Sequence, residues 1–333
     1  MTAQDQGIKV LIIGAAGMIG RKLTARLLSD GRIGNESLAS LILADIVMPE
    51  QPRSGLAIDT IATDLAAPGA AAALVAHRPD LIFHLAAIVS GEAEADFDKG
   101  YRINLDGTRL LFEAIRNAAE PYRPRLVFTS SIAVFGAPFP EAIGDDFIPA
   151  PLTSYGTQKA IGELLLSDYS RRGIFDGIGI RLPTICVRPG APNKAASGFF
   201  SSIIREPLVG KEAVLPVGED VRHSHASPRA AVAFLIHAAT IDLARLGTRR
   251  NLSMPGLSVT VAEEIEALRR AAGEGAVRLI RREPDPVIAR IVEGWPRAFT
   301  AERAAALGFT AENSFDEIVR IHIEDELGGR VGA

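Results

Sequence analysis

Cysteine is almost missing from this chain. Its 333 residues include one, Cys186, so no disulfide can close within it, and the chain suits a reducing compartment. No Cys/His cluster stands in the sequence, so no structural zinc site is expected, nor any other metal. No apolar run approaches the roughly 20 residues of a membrane span. Basic runs are absent and the net charge is −4, which argues against nucleic-acid binding. Residues 1–7 are polar, carry Asp5 and do not resemble a signal peptide. Together these absences predict a soluble, cytoplasmic protein with a small-molecule partner, no nucleic acid and no membrane. What is present is ample core material, 47% hydrophobic, in a chain long enough for one large domain and a smaller one.

The run Ile8-Lys9-Val10-Leu11-Ile12-Ile13 reads as a buried strand. Gly14-Ala15-Ala16-Gly17-Met18-Ile19-Gly20 follows, and then Leu23, Leu27 and Leu28 fall at helical spacing. Strand, glycine turn and helix form the context of a dinucleotide fingerprint. In it glycines admit a pyrophosphate to the backbone, and the helix N-terminus offers free N–H groups. Asp45 ends the second strand, where a carboxylate suits both ribose hydroxyls of NAD and repels a 2′-phosphate. No arginine follows before Arg53, which favours NAD over NADP. Asp64 and Leu65 follow the third strand, where a carboxylate can accept the adenine amino group or simply face solvent. The fourth strand ends Phe83-His84-Leu85-Ala86-Ala87, whose small alanines allow a cofactor to lie against backbone. His84, a lone histidine among apolar residues, reads as a packing residue. Asn104 sits in a helical stretch, where its amide is able to tie sheet ends together.

Alternation continues through the first half. Strands are predicted at 8–13, 40–44, 57–62, 80–85, 125–130 and 177–182, and helices at 18–30, 68–77, 100–118 and 153–172. This is the pattern of an α/β doubly wound parallel sheet, a Rossmann fold. Residues 183–220, rich in Pro and Gly, read as loops with one short helix near 197–206. Later helices are expected at 227–243, 261–273, 284–293, 300–307 and 314–326, with a strand near 276–280. The domain reading is a cofactor-binding unit over 1–182 plus about 221–253. A smaller α/β substrate unit takes 183–220 plus about 254–333.

The chemistry gathers in two patches. Thr129-Ser130-Ser131-Ile132-Ala133-Val134-Phe135-Gly136 ends an apolar run, and Tyr155-Gly156-Thr157-Gln158-Lys159 puts a phenol and an ammonium one helical turn apart. A neighbouring cation favours the phenolate, bringing the phenol toward acid/base work near neutral pH. A serine hydroxyl can hold the same substrate oxygen.

The glycine pattern, His84-Leu85-Ala86-Ala87, Asn104-x-x-Gly107-Thr108, Ser131 and Tyr155-x-x-x-Lys159 stand in the order and spacing of a known family. Together they resemble the extended short-chain dehydrogenase/reductases, the nucleotide-sugar epimerase/dehydratase superfamily. The resemblance implies bound NAD contacting Gly14, Gly17, Met18, Ile19, Gly20, Asp45, Asp64, Leu65, Leu85, Ala86, Ala87, Asn104, Tyr155, Lys159 and Pro183. It implies Tyr155 as the acid/base, Lys159 on the nicotinamide ribose, and Ser131 on the reacting oxygen. It also implies a homodimer packed through the helices near 100–118 and 153–172. The chain departs from the family in several places. Phe135 replaces a common tyrosine, and Ser131-Ile132-Ala133 stands where sugar dehydratases have Thr-Asp-Glu, which disfavours dehydration. Arg222-His223-Ser224-His225 replaces a different family run, although Arg222 matches a diphosphate-binding arginine.

Thr153 to Ala160, Arg181-Leu182-Pro183-Thr184, Arg188-Pro189-Gly190 and Ser227-Pro228-Arg229 are similar to the D-erythronate dehydrogenase group within that superfamily. That group implies oxidation of the C2 hydroxyl of a four-carbon sugar acid. A bidentate arginine is the natural holder of the acid's carboxylate. Arg222 is the first candidate, with Arg188 and Asn193 next. Ser90 and Thr184 are candidates for other substrate hydroxyls, alongside Ser131 and Tyr155. The alternatives are a nucleoside-diphosphate-sugar epimerase and a uronate dehydrogenase.

Overall fold

A computed structural model describes residues 7–119, 121–190 and 196–332. Among the described residues thirteen strands run in chain order. Those of the first half are β1 (Ile8–Ile13), β2 (Arg32–Ile33), β3 (Glu36–Asp45), β4 (Ala57–Ala62), β5 (Leu81–His84), β6 (Arg125–Ser131) and β7 (Asp176–Leu182). The remainder are β8 (Thr184–Ile185), β9 (Ala213–Leu215), β10 (Arg222–Ala226), β11 (Asn251–Ser253), β12 (Leu257–Thr260) and β13 (Ile280–Arg282). The large sheet is parallel in the order β4-β3-β1-β5-β6-β7-β11, and β2 adds an antiparallel hairpin to the start of β3. Strand order reverses between β1 and β5, the position at which doubly wound sheets bind ligands beyond their C-terminal ends.

The buried strands alternate between two cores. Val10, Ile12, Leu41, Leu43 and Phe83 pack on one face with Leu23 and Leu27 of helix Met18–Asp30 and Phe234 of helix Pro228–Thr240. Leu11, Ile13, Ile42, Ile82 and Phe128 pack on the other with Phe112 and Leu166. Both faces are covered by helices, which is why these strands read as unbroken apolar runs. A third core, around Phe200, Ile204, Leu215, Ile265 and Ile318, is built from the C-terminal third and the 198–217 stretch. Two small sheets, β12-β10-β8 and β13-β9, belong to this region.

The structure departs from the expected elements in several places, among them the unexpected strands β10, β11 and β12 and a short helix Ser90–Ala95. The stretch between the expected helix 18–30 and strand 40–44 holds β2 and the start of β3, paired as a hairpin. The helix expected at 100–118 is divided into Phe97–Gly100, a wider π turn Tyr101–Asp106, and Gly107–Arg116. The strand placed near 276–280 is instead Ile280–Arg282. Ala276 and Val277 still belong to helix Val261–Val277, which bends at Gly273, φ 76°. Within 183–220, β8 and β9 are strands of two and three residues. Strands this short carry no periodicity for a sequence to show.

Candidate active site

A cavity of about 440 Å³ opens at the C-terminal ends of β1, β5, β6 and β7. One wall is the glycine turn and the first turn of helix Met18–Asp30. Gly17 caps that helix without a side chain, and no side-chain hydrogen bond caps its N-terminal amides among the described residues. Gly20 has to be glycine for the turn to close: a Cβ there would lie 2.2 Å from the Gly14 oxygen. Gly14, Gly17, Met18, Ile19, Gly20, Leu85 and Ala87 line the cavity. An uncapped helix N-terminus behind a close-packed glycine turn suits the pyrophosphate of a dinucleotide. Asp45 stands at the end of β3, where its carboxylate accepts a hydrogen bond from the Ala16 amide at 2.9 Å. The residues present therefore fit NAD.

The opposite wall is assembled from β6 and helix Ser154–Arg171. Thr153 caps this helix, its hydroxyl accepting from the Gly156 amide at 3.1 Å. A Cβ on Gly156 would sit 2.1 Å from the Ala133 oxygen, so only glycine lets the helix meet the turn that follows Ser131. That contact brings Tyr155, Ser131 and Lys159 into one cavity. The Ser131 hydroxyl accepts from the Ala133 amide at 3.1 Å. Lys159 is buried and donates to the Thr129 oxygen at 2.8 Å. Burial brings its ammonium down to about 8, against a smaller opposing pull from Glu163.

Lys159 Nζ lies 5.8 Å from the centre of the Tyr155 ring and is committed to Thr129. Burial raises the phenol, and the Ser131 hydroxyl and the Arg188 charge oppose that rise.

The substrate candidates separate. Ser90, Pro183, Thr184 and Arg188 line the cavity. Arg188 donates from Nε to the Ile185 oxygen at 2.9 Å and from Nη2 to Ser197 at 2.7 Å. Arg222, the first candidate for the carboxylate, is not part of the cavity wall. Its guanidinium donates to the Ser258 oxygen at 2.9 Å and faces Glu263 at 3.4 Å. Successive residues of a strand point to opposite faces, and on β10 it is His223 that faces inward. Asn193 lies outside the described residues.

Asp45, Asp64, Leu65, Ala86 and Asn104 stand off the cavity wall. Asp64 pairs with Arg102 at 2.6 Å, and Leu65 is buried. Asn104 is a buried tie: its amide oxygen accepts from the Ile88 amide at 2.9 Å, and its amide nitrogen donates to Gln158 at 2.8 Å. His84 is a core residue, 2.8 Å from the Thr108 hydroxyl, and burial lowers it to about 3. Sequence reasoning missed Ser197, His223, Trp295 and Pro296 in the wall. On β10 only the structure separates His223 from Arg222, since the run Arg-His-Ser-His-Ala has no apolar alternation. Trp295 and Pro296 arrive from a segment more than a hundred residues beyond Tyr155, with no local signal.

Residues 10–233, more than half the chain, match the NAD dependent epimerase/dehydratase family. A D-erythronate dehydrogenase of Cupriavidus necator is 47% identical over 96% of this chain and 98% of its own length. A D-erythronate dehydrogenase of Haemophilus influenzae is 42% identical over 96% of this chain and all of its own. A crystal structure named as a nucleoside-diphosphate-sugar epimerase from Agrobacterium tumefaciens is 68% identical, with a TM-score of 0.95 over 97% of this chain and 96% of that one. With the parallel sheet, the glycine turn and the cavity they build, these likenesses place the chain in the NAD-dependent epimerase/dehydratase family.

Proposed function

We propose that this NAD-dependent oxidoreductase oxidises the C2 hydroxyl of a small sugar acid, D-erythronate, to the 2-oxo acid 2-dehydro-D-erythronate. The observation that carries this reading is Arg188. Its guanidinium enters the cavity near Tyr155, burial lowers its pKa, and no carboxylate among the described residues pairs with it. A desolvated cation in a binding cavity is completed by an anionic group of the ligand, and an arginine fork matches a carboxylate. The names of the two full-length relatives support the same acid.

In this scheme Tyr155 is the base. Its phenol is protonated at rest because burial disfavours the anion. That proton must first leave to solvent through the open cavity; the phenolate then accepts the C2 hydroxyl proton as the C2 hydride leaves to the cofactor. Ser131 steadies the same oxygen as it becomes a carbonyl, and Lys159 supplies positive charge on the Tyr155 helix. NAD, when bound, supplies the hydride acceptor. Gly14, Gly17, Gly20 and the helix amides would hold its pyrophosphate, and Asp45 its ribose. The cofactor-binding and substrate units are assigned to 1–182 plus about 221–253, and to 183–220 plus about 254–333. The separate cores support that division.

The second reading is a nucleoside-diphosphate-sugar epimerase, the name carried by the Agrobacterium neighbour. The placement of Arg222 weighs against it, since the arginine suited to a diphosphate is turned to Ser258 and Glu263. The test is purified protein with excess NAD and a panel of D-erythronate, other aldonates, uronates and nucleotide sugars. Sustained NADH from D-erythronate supports the reading. Interconversion of a nucleotide sugar with no NADH overturns it.

We also infer a homodimer packed through the helices near 100–118 and 153–172. Leu164, 72% exposed on helix Ser154–Arg171, is an apolar side chain that such a contact would cover. A monomer by light scattering at micromolar concentration contradicts this.

A further inference from the structure

We propose that His223 is a positioning residue that fixes the Thr184 hydroxyl as a hydrogen-bond acceptor toward the cavity. The site thereby admits a substrate hydroxyl at that point and rejects a carbonyl, carboxylate or phosphate oxygen. The inference rests on the reading above only for the identity of the acid.

His223 Nδ1 lies 3.1 Å from the backbone oxygen of Pro296. A carbonyl only accepts, so Nδ1 carries a hydrogen. His223 is 2% exposed, and burial, with His225 beside it, brings its imidazole down to about 3. The ring is therefore neutral near pH 7, and Nε2 has a lone pair and no proton. Thr184 Oγ1 lies 2.7 Å from that Nε2, so the hydroxyl must donate there. A threonine hydroxyl has one proton. With it committed, the oxygen keeps only lone pairs, and Thr184 is partly exposed in the cavity wall.

The surroundings hold this arrangement. The His223 ring stacks on Phe200 at 5.2 Å between centres and 4° between planes, and lies 5.3 Å from Trp295. Strands β8 and β10 pair directly, with His225 opposite Thr184, which fixes the two residues in register. Arg188 and Thr184 thus present opposite polarities in one cavity. The first offers donors for a carboxylate, and the second an acceptor for a hydroxyl further along the substrate.

Two measurements test this. The first is ¹⁵N NMR of histidine-labelled protein near pH 7, with the His223 signals assigned by their loss in His223→Gln. Expected is a protonated Nδ1 and an unprotonated Nε2, with the Nε2 shift moving in Thr184→Val. A ring protonated on Nε2, alone or with Nδ1, overturns the proposal and needs no knowledge of the substrate. The second compares kcat/KM for D-erythronate with that for its 3-deoxy and 4-deoxy analogues. Wild type should prefer the hydroxylated acid over one analogue by about tenfold, the worth of one buried hydrogen bond. Thr184→Val and His223→Phe should reduce that ratio to near one, with the KM for NAD unchanged. A merely structural role would weaken all three acids equally, and that result overturns the proposal. Should wild type oxidise no sugar acid, the assignment of the acid falls while the tautomer still decides the role of His223.

Discussion

The Lys159 ammonium donates to the backbone oxygen of Thr129 at 2.8 Å, which clamps helix Ser154–Arg171 to the strand that ends in Ser131. Tyr155 lies one helical turn before this clamp and Ser131 two residues after it. This hydrogen bond therefore helps set the separation of the Tyr155 phenol from the Ser131 hydroxyl, and it does so with a cation held in a buried place.

That cation has a thermodynamic signature. Burial lowers Lys159 to about 8 from 10.5. Below pH 8 it is charged in both folded and unfolded chains, and the fold carries the full cost of burying it. Between pH 8 and 10.5 the folded chain releases its proton first, so the cost fades as pH rises. At about 1.4 kcal/mol per unit, the cost at pH 7 is on the order of 3 kcal/mol. NAD-free Lys159→Met should therefore be more stable than wild type at pH 7, and the gap should close by pH 10.5. Urea melts across that range check this, and a gap that widens with pH contradicts it.

Tyr155→Phe removes the proposed proton acceptor and keeps the ring. Turnover should fall by about 10²- to 10⁴-fold, the usual worth of a positioned acid/base. NAD affinity, read by fluorescence quenching or calorimetry, should stay within about twofold, because the cradle around Gly17 is untouched. Full turnover would remove Tyr155 from the chemistry.

Much of this site was legible in the sequence because its parts obey short periods. The glycine turn follows an uninterrupted strand, and Tyr155 and Lys159 share a helix face four residues apart. The alternating cores of β1 and β3 were likewise readable from apolar runs. What was not legible depends on orientation and distance. Arg222 and His223 are neighbours on a five-residue strand with no hydrophobic alternation, so nothing local says which faces inward. Trp295 and Pro296 join the wall only through tertiary packing. The raised phenol of Tyr155 and the lowered ammonium of Lys159 follow from burial, which spacing alone does not show.

The buried pair Glu163–Arg181 lies behind the site. Arg181 Nη2 donates to Glu163 at 2.7 Å, and Ser130 donates to the same carboxylate at 2.6 Å. Both members are almost inaccessible to solvent. Glu163→Ala leaves a charge unpaired in the core and should cost about 3–5 kcal/mol. Replacing both, Glu163→Met with Arg181→Leu, should recover much of that loss. Urea unfolding of wild type and the two variants decides it, and Glu163→Ala as stable as wild type would contradict the pairing.

Arg188→Ala removes the cavity's donor for an anionic group. The KM for the acid should rise about 10- to 100-fold, the range for a charge-assisted hydrogen bond. The KM for NAD should hold. An unchanged KM for the acid would move the carboxylate elsewhere in the cavity.

The most direct test of the central claim follows one hydrogen atom. Protein is mixed with NAD and D-erythronate carrying deuterium at C2, and the reduced cofactor and the organic product are weighed by mass spectrometry. The account predicts NADH one mass unit heavier and 2-dehydro-D-erythronate without the label. Unlabelled NADH, or deuterium kept on a recovered sugar acid with no net NADH, would contradict it.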